Sequence, residues 1–113
     1  MVRIKRYCGP YIMELNGSLF KQYCGPYLYE ITGNYVKTYC GPYTYEIQDK
    51  RIKQYCGPYL LELQGKYIKR YCGPYIAEIE GKYIKQYCGP YLYEIEGNLN
   101  EKELLALIAI LFD

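Results

Sequence analysis

The stretch Tyr67-Ile68-Lys69-Arg70-Tyr71-Cys72-Gly73-Pro74-Tyr75-Ile76-Ala77-Glu78-Ile79-Glu80-Gly81-Lys82 decides the fold, because it is one copy of a unit that fills most of the chain. Its centre, Tyr-Cys-Gly-Pro-Tyr, begins at Tyr7, Tyr23, Tyr39, Tyr55, Tyr71 and Tyr87, six copies at a constant spacing of 16 residues with no insertion. Self-similarity at a fixed period marks an array whose units bury apolar surface against one another.

Two turn signals punctuate the unit. If Gly73-Pro74 and Gly81-Lys82 are two-residue hairpin loops, the segments 67–72 and 75–80 are strands. Gly at the first loop position suits a type II′ turn, and Pro at the second has an acceptable φ. The other turn position holds Gly17, Gly33, Gly65, Gly81 and Gly97, but Asp49 in the third copy. Asp is among the few side chains that tolerate positive φ, so this position is predicted to be left-handed.

This register places Lys69 opposite Glu78 and Ile68 opposite Ile79 across one loop. Across the other it places Glu78 opposite Lys85 and Ile79 opposite Ile84. Cross-strand pairs contribute about 0.2–1 kcal/mol each and like charges directly opposite are unfavourable, so the pattern favours antiparallel pairing at both turns. The sequence therefore predicts an all-β fold of six tandem 16-residue two-strand hairpins in an elongated open antiparallel meander. A β-solenoid is the alternative; it would stack the six glutamates Glu14, Glu30, Glu46, Glu62, Glu78 and Glu94 on one another. Identical register at both loops implies no stagger, and a sheet without stagger does not readily close into a barrel. Twelve strands would then extend roughly 55–60 Å. One face carries Ile68, Arg70, Cys72, Tyr75, Ala77 and Ile79, the other Tyr67, Lys69, Tyr71, Ile76, Glu78 and Glu80, and the first requires a cover.

The composition changes after Gly97, which divides the chain into a repeat array, 1–97, and a C-terminal segment, 98–113. Asn100 with Glu103 reads as an N-cap and its capping-box partner, opening a helix of roughly 12 residues. Leu104 to Phe112 is apolar nearly all round, so the helix is expected to be buried on more than one side and to cap the array.

The chain has 113 residues, no His, no Trp and a single Ser, Ser18, but 18 Tyr and 6 Cys. A histidine-based nucleophile pair or metal site is thereby excluded. A net charge of +2 and a pI near 8.1 provide no field to gather nucleic acid or an anionic membrane. No apolar run approaches the roughly 20 residues of a spanning helix, and no h-region follows the charged N-terminus. A cytoplasmic protein with reduced thiols is expected. The cysteines lie too far apart for disulfides in a meander and lack metal-site spacing, so they read as small buried hydrophobes at the turns. No cofactor or metal is predicted.

The glutamates and lysines recur in equivalent surroundings, whereas a catalytic site is a singular constellation. The sequence therefore reads as a non-enzymatic structural scaffold that self-associates. A binding module is the alternative, using a tyrosine-rich face for a glycan or peptide. The candidate binding residues are Tyr23, Tyr35, Tyr39, Tyr55, Tyr67, Tyr71, Tyr83 and Tyr87, whose rings combine an apolar body with a polar tip.

Overall fold

Residues 1–112, which the computed structural model describes, form twelve strands and one helix. The strands are β1 (Val2–Arg6), β2 (Tyr11–Asn16), β3 (Leu19–Gln22), β4 (Tyr27–Thr32), β5 (Tyr35–Thr38), β6 (Tyr43–Gln48), β7 (Arg51–Gln54), β8 (Tyr59–Gln64), β9 (Tyr67–Arg70), β10 (Tyr75–Glu80), β11 (Tyr83–Gln86) and β12 (Tyr91–Glu96), followed by α1 (Glu101–Phe112). Every sequential pair is antiparallel, so the hairpin array is correct and the solenoid is not formed. The sheet is not open: β1 pairs with β12 and the twelve strands close into a barrel. Instead of an elongated ribbon, the molecule measures 36 × 35 × 19 Å.

The reason lies in the Cys-Gly-Pro loop. At the Gly81-type turn the predicted register holds, with Glu78 facing Lys85 and Ile79 facing Ile84. Asp49 adopts φ 55°, beside 59° at Gly33 and Gly65, which confirms the left-handed position. At the other turn the loop is longer. The Arg70 amide donates to the Pro74 carbonyl and the Gly73 amide to the Arg70 carbonyl, so Tyr71 and Cys72 are the central residues of the tight turn. Cys72, not Gly73, takes the positive φ of 54°, as the third residue of a type II turn does.

Consequently Lys69 faces Tyr75, Ile68 faces Ala77 and Tyr67 faces Glu78, with Ile76 as the extra residue of a β-bulge. The predicted Lys69–Glu78 and Ile68–Ile79 pairings are absent. The same bulge recurs in all six hairpins. Each one displaces the ladder: Asn16 faces Leu19 and Leu19 faces Glu30, whereas the counterpart of Asn16 one repeat later is Thr32. The slip is two residues per repeat, and accumulated stagger of this kind is what lets a sheet close. Bulges also bend the strand and increase its twist.

The inner wall carries one repeat position that is fully buried in every copy, Ile4, Phe20, Val36, Ile52, Ile68 and Ile84, each 0% exposed, and Leu61 and Ala77 join them. Its cover is α1. Leu105, Ala106, Leu107, Ile108 and Ala109 are each at most 1% exposed, and five consecutive residues pass through more than one full turn of helix, so protein surrounds α1 on every side. The helix therefore occupies the barrel lumen. At 1.5 Å per residue its 12 residues span about 18 Å, close to the 19 Å short dimension of the molecule. The capping box forms as predicted: the Asn100 side chain accepts from the Glu103 amide at 2.8 Å, and Glu103 accepts from the Asn100 amide at 3.0 Å. Near its start Glu101 pairs with Lys50 at 2.8 Å, and at its end Phe112 meets the edge of Tyr93.

Candidate functional site: tyrosine clusters on the outer wall

Alternation along the strands sends the tyrosines that flank each Cys-Gly-Pro outward. The second of them would break strict alternation, but the bulge restores it: Tyr75 pairs with the outward Lys69, Ile76 is inserted, and Ala77 faces the lumen. A third outward position at the head of each odd strand completes a cluster. In three clusters all members are tyrosines: Tyr35–Tyr43–Tyr55, Tyr67–Tyr75–Tyr87 and Tyr83–Tyr91–Tyr7. Ring centroids lie 5.0–5.8 Å apart, within the range of favourable aromatic pairs.

The other three clusters have a different third member. Arg51 sits over Tyr59 and Tyr71 at 5.7 and 5.6 Å while donating to Glu62 at 3.0 Å. Arg3 does the same over Tyr11 and toward Glu14, beside the Tyr11–Tyr23 pair. Leu19 heads the remaining strand, where Tyr27 and Tyr39 pair. Bonding to the carboxylates holds the Arg3 and Arg51 guanidinium groups more firmly protonated than usual.

The eight tyrosines singled out from the sequence are thus distributed over all six clusters around the barrel. Tyr35 and Tyr55 come together, as do Tyr67 and Tyr87, while Tyr23, Tyr39, Tyr71 and Tyr83 each lie in a cluster of their own. Tyr7, and at a second repeat position Tyr11, Tyr27, Tyr43, Tyr59, Tyr75 and Tyr91, lie outside that set although each is a cluster member. The invariance of tyrosine at both repeat positions was the available signal. Ten of these rings remain 38–43% exposed. Several hydroxyls reach over one strand to the next but one: Tyr59 on β8 donates to Gln48 on β6 at 2.6 Å, Tyr75 on β10 to Gln64 on β8 at 3.2 Å and Tyr91 on β12 to Glu80 on β10 at 3.3 Å. The Tyr11 hydroxyl donates to Glu96 at 2.8 Å across the junction of the chain ends, and this bond raises its pKa.

Below the aromatic clusters the outer wall is charged. Glu14, Glu46, Glu62 and Glu78 pair with Lys21, Lys53, Lys69 and Lys85 at 3.4–3.7 Å. Lys66 reaches Glu78 from the turn at 3.1 Å, and this contact lowers the Glu78 pKa. An outward band of paired charges is the reverse of the apolar band on a membrane-spanning barrel. Among the described residues no helix is long and apolar enough to cross a membrane.

The cysteines depart from the sequence expectation. All six are free and exposed in the loops between strands, where each takes a positive φ. Each neighbours the tyrosine before it. The adjacent cysteine, by its charge interaction and a side-chain hydrogen bond, raises the pKa of Tyr7, Tyr39 and Tyr55. Among the described residues no group of acidic or sulfur side chains converges to hold a metal. No protein-family model, curated protein or solved structure matches the chain.

Proposed function

We propose that the protein is a non-enzymatic repeat scaffold that works by contact, binding a glycan or peptide through the tyrosine clusters of its outer wall. One observation carries the reading: tyrosines of neighbouring repeats assemble into clusters whose rings remain exposed on the outer wall. Rigid aromatic surfaces bind at low cost in side-chain entropy, and a hydroxyl tip adds hydrogen-bonding capacity. Repetition argues against catalysis, since six equivalent clusters supply no singular acid, base or nucleophile. Self-association by strand pairing has no physical route here, because β1 and β12 close the sheet and leave no unpaired edge. Glycan and peptide arrays probed with the intact chain test the proposal. Binding that weakens in a Tyr43→Ser, Tyr75→Ser, Tyr91→Ser variant of unchanged thermal midpoint supports it, and blank arrays refute it.

A further inference from the structure

Seven positions of the unit are the same in every copy: the five of Tyr-Cys-Gly-Pro-Tyr, the Glu that follows three residues later and the Lys that precedes by two. Six of the seven have a structural task. The tyrosines build the clusters, the Glu pairs with Lys, and Pro fixes φ at the loop residue whose carbonyl accepts from the strand. Gly leaves room, since a Cβ at Gly73 would lie 3.0 Å from that of Arg70. Cysteine has none. Its side chain fills no core, and its φ of 52–55° is one that glycine or asparagine adopts more readily. Retention of a thiol at six exposed positions, while the preceding residue drifts through Arg6, Gln22, Thr38, Gln54, Arg70 and Gln86, points to sulfur chemistry.

We infer that the ring of Cys8, Cys24, Cys40, Cys56, Cys72 and Cys88 is a covalent docking surface for a second copy of this chain, joined mouth to mouth by interchain disulfides. Equivalent loops are two strands apart, about 9–10 Å, which exceeds the reach of a disulfide within the barrel. A second copy supplies what the first lacks. Its ring has the same radius and spacing, so one relative rotation aligns the thiols of both rings. The surrounding face is suited to such contact, with only Arg6 and Arg70 charged among the six residues that precede the tyrosines and with Pro10, Pro26, Pro42, Pro58, Pro74 and Pro90 exposed.

The chemistry is thiol–disulfide exchange with a low-molecular-weight disulfide. A cysteine thiolate attacks one sulfur of the small disulfide, forming a mixed disulfide and expelling one small thiolate. A thiolate of the second chain then attacks the cysteine sulfur of that mixed disulfide, forms the interchain bond and expels the other small thiolate. Each expelled thiolate takes up the proton released when a cysteine ionised. Two protein thiols are oxidised and one small disulfide is reduced to two thiols.

The test incubates the full chain with oxidised glutathione, followed by non-reducing electrophoresis and intact mass measurement. The expected product is a discrete covalent dimer of the 13.4 kDa chain, reversed by reductant and absent when all six cysteines are replaced by glycine, a residue compatible with the local φ. A chain that stays monomeric, whether by forming internal disulfides or by stopping at glutathione adducts, overturns the inference. So does an open-ended ladder of polymers, which would show thiols reacting singly and without the ring.

Discussion

Arg3 on β1 faces Glu96 on β12 in the same register in which Leu19 faces Asn16 inside the array, so the two ends of the barrel meet as if the repeat continued. The side chains follow suit. Tyr7 stacks against Tyr91 across the junction as Tyr55 does against Tyr43, and its amide donates to the Leu92 carbonyl as that of Tyr71 does to Leu60. Arg3 also bridges to Glu14 at 3.2 Å. Arg3→Glu therefore puts a third carboxylate beside Glu14 and Glu96. A loss of up to about 1 kcal/mol is expected for a half-exposed site, read as a lower urea midpoint that recovers partly in high salt. An unchanged midpoint would show that the closing pair contributes nothing.

Glu78 offers a sharper electrostatic test, because it is 8% exposed and flanked by Lys66 at 3.1 Å and Lys85 at 3.6 Å. Glu78→Lys creates a cluster of three cations, and adding Lys66→Glu and Lys85→Glu should restore most of the loss. Lys69 is not part of this set; it pairs with Glu62. The pKa of Glu78 is lowered in the folded chain, chiefly by the Lys66 contact, so its stabilisation is present above the ordinary carboxylate range and is lost as pH falls through the lower native value. Thermal midpoints measured from about pH 5 downward should therefore fall less steeply in Glu78→Gln than in the parent.

The correction from Lys69 to Lys66 shows where the sequence was legible. Turn chemistry at Asp49, the Glu78–Lys85 register and the Asn100 cap follow from local rules, and all three form as read. The Cys-Gly-Pro loop did not yield, because Gly-Pro resembles a two-residue hairpin while the positive φ is carried by cysteine, a residue with no propensity for it. A signal for the bulge was present: Ile76-Ala77, like Ile12-Met13 and Leu60-Leu61, sets two apolar residues in succession where alternation demands one. Closure left its own trace in α1, whose lack of a polar face requires surroundings on every side rather than a sheet on one. The tyrosine clusters stayed hidden because their third member comes from the neighbouring strand, and its identity depends on the two-residue slip.

The loop geometry predicts opposite outcomes for adjacent residues. Cys72→Gly relieves a left-handed conformation at an exposed site and is expected to leave stability unchanged or raise it by up to about 1 kcal/mol. Cys72→Val puts a β-branched side chain there and should lower it. Gly73→Ala should also destabilise, although Gly73 is not among the left-handed residues, because the new Cβ meets that of Arg70 at 3.0 Å. Chemical denaturation of the three variants separates the effects; a Cys72→Gly variant less stable than Cys72→Val would show that the turn is wrongly described.

The lumen helix is the element on which the barrel most depends. Leu105, Leu107 and Ile108 are at most 1% exposed, and full burial of such side chains is worth roughly 1.5–3 kcal/mol each before entropy is counted. They share one buried core with the inner-wall residues Ile4, Phe20, Val36, Ile52, Ile68 and Ile84, so removing the helix would leave those side chains without their filling. Leu107→Ala should cost about 2–5 kcal/mol, as a large-to-small change in a closed core does. Asn100→Ala, which removes the bond to the Glu103 amide, should cost about 1 kcal/mol. Deleting residues from Asn100 onward should abolish cooperative thermal unfolding and produce strong binding of an apolar dye. Adding a synthetic peptide of residues 98–113 to the truncated chain should reverse both effects, since the barrel wall is complete through β12. A truncated chain that melts cooperatively at the parent temperature would show that the wall closes without its filling.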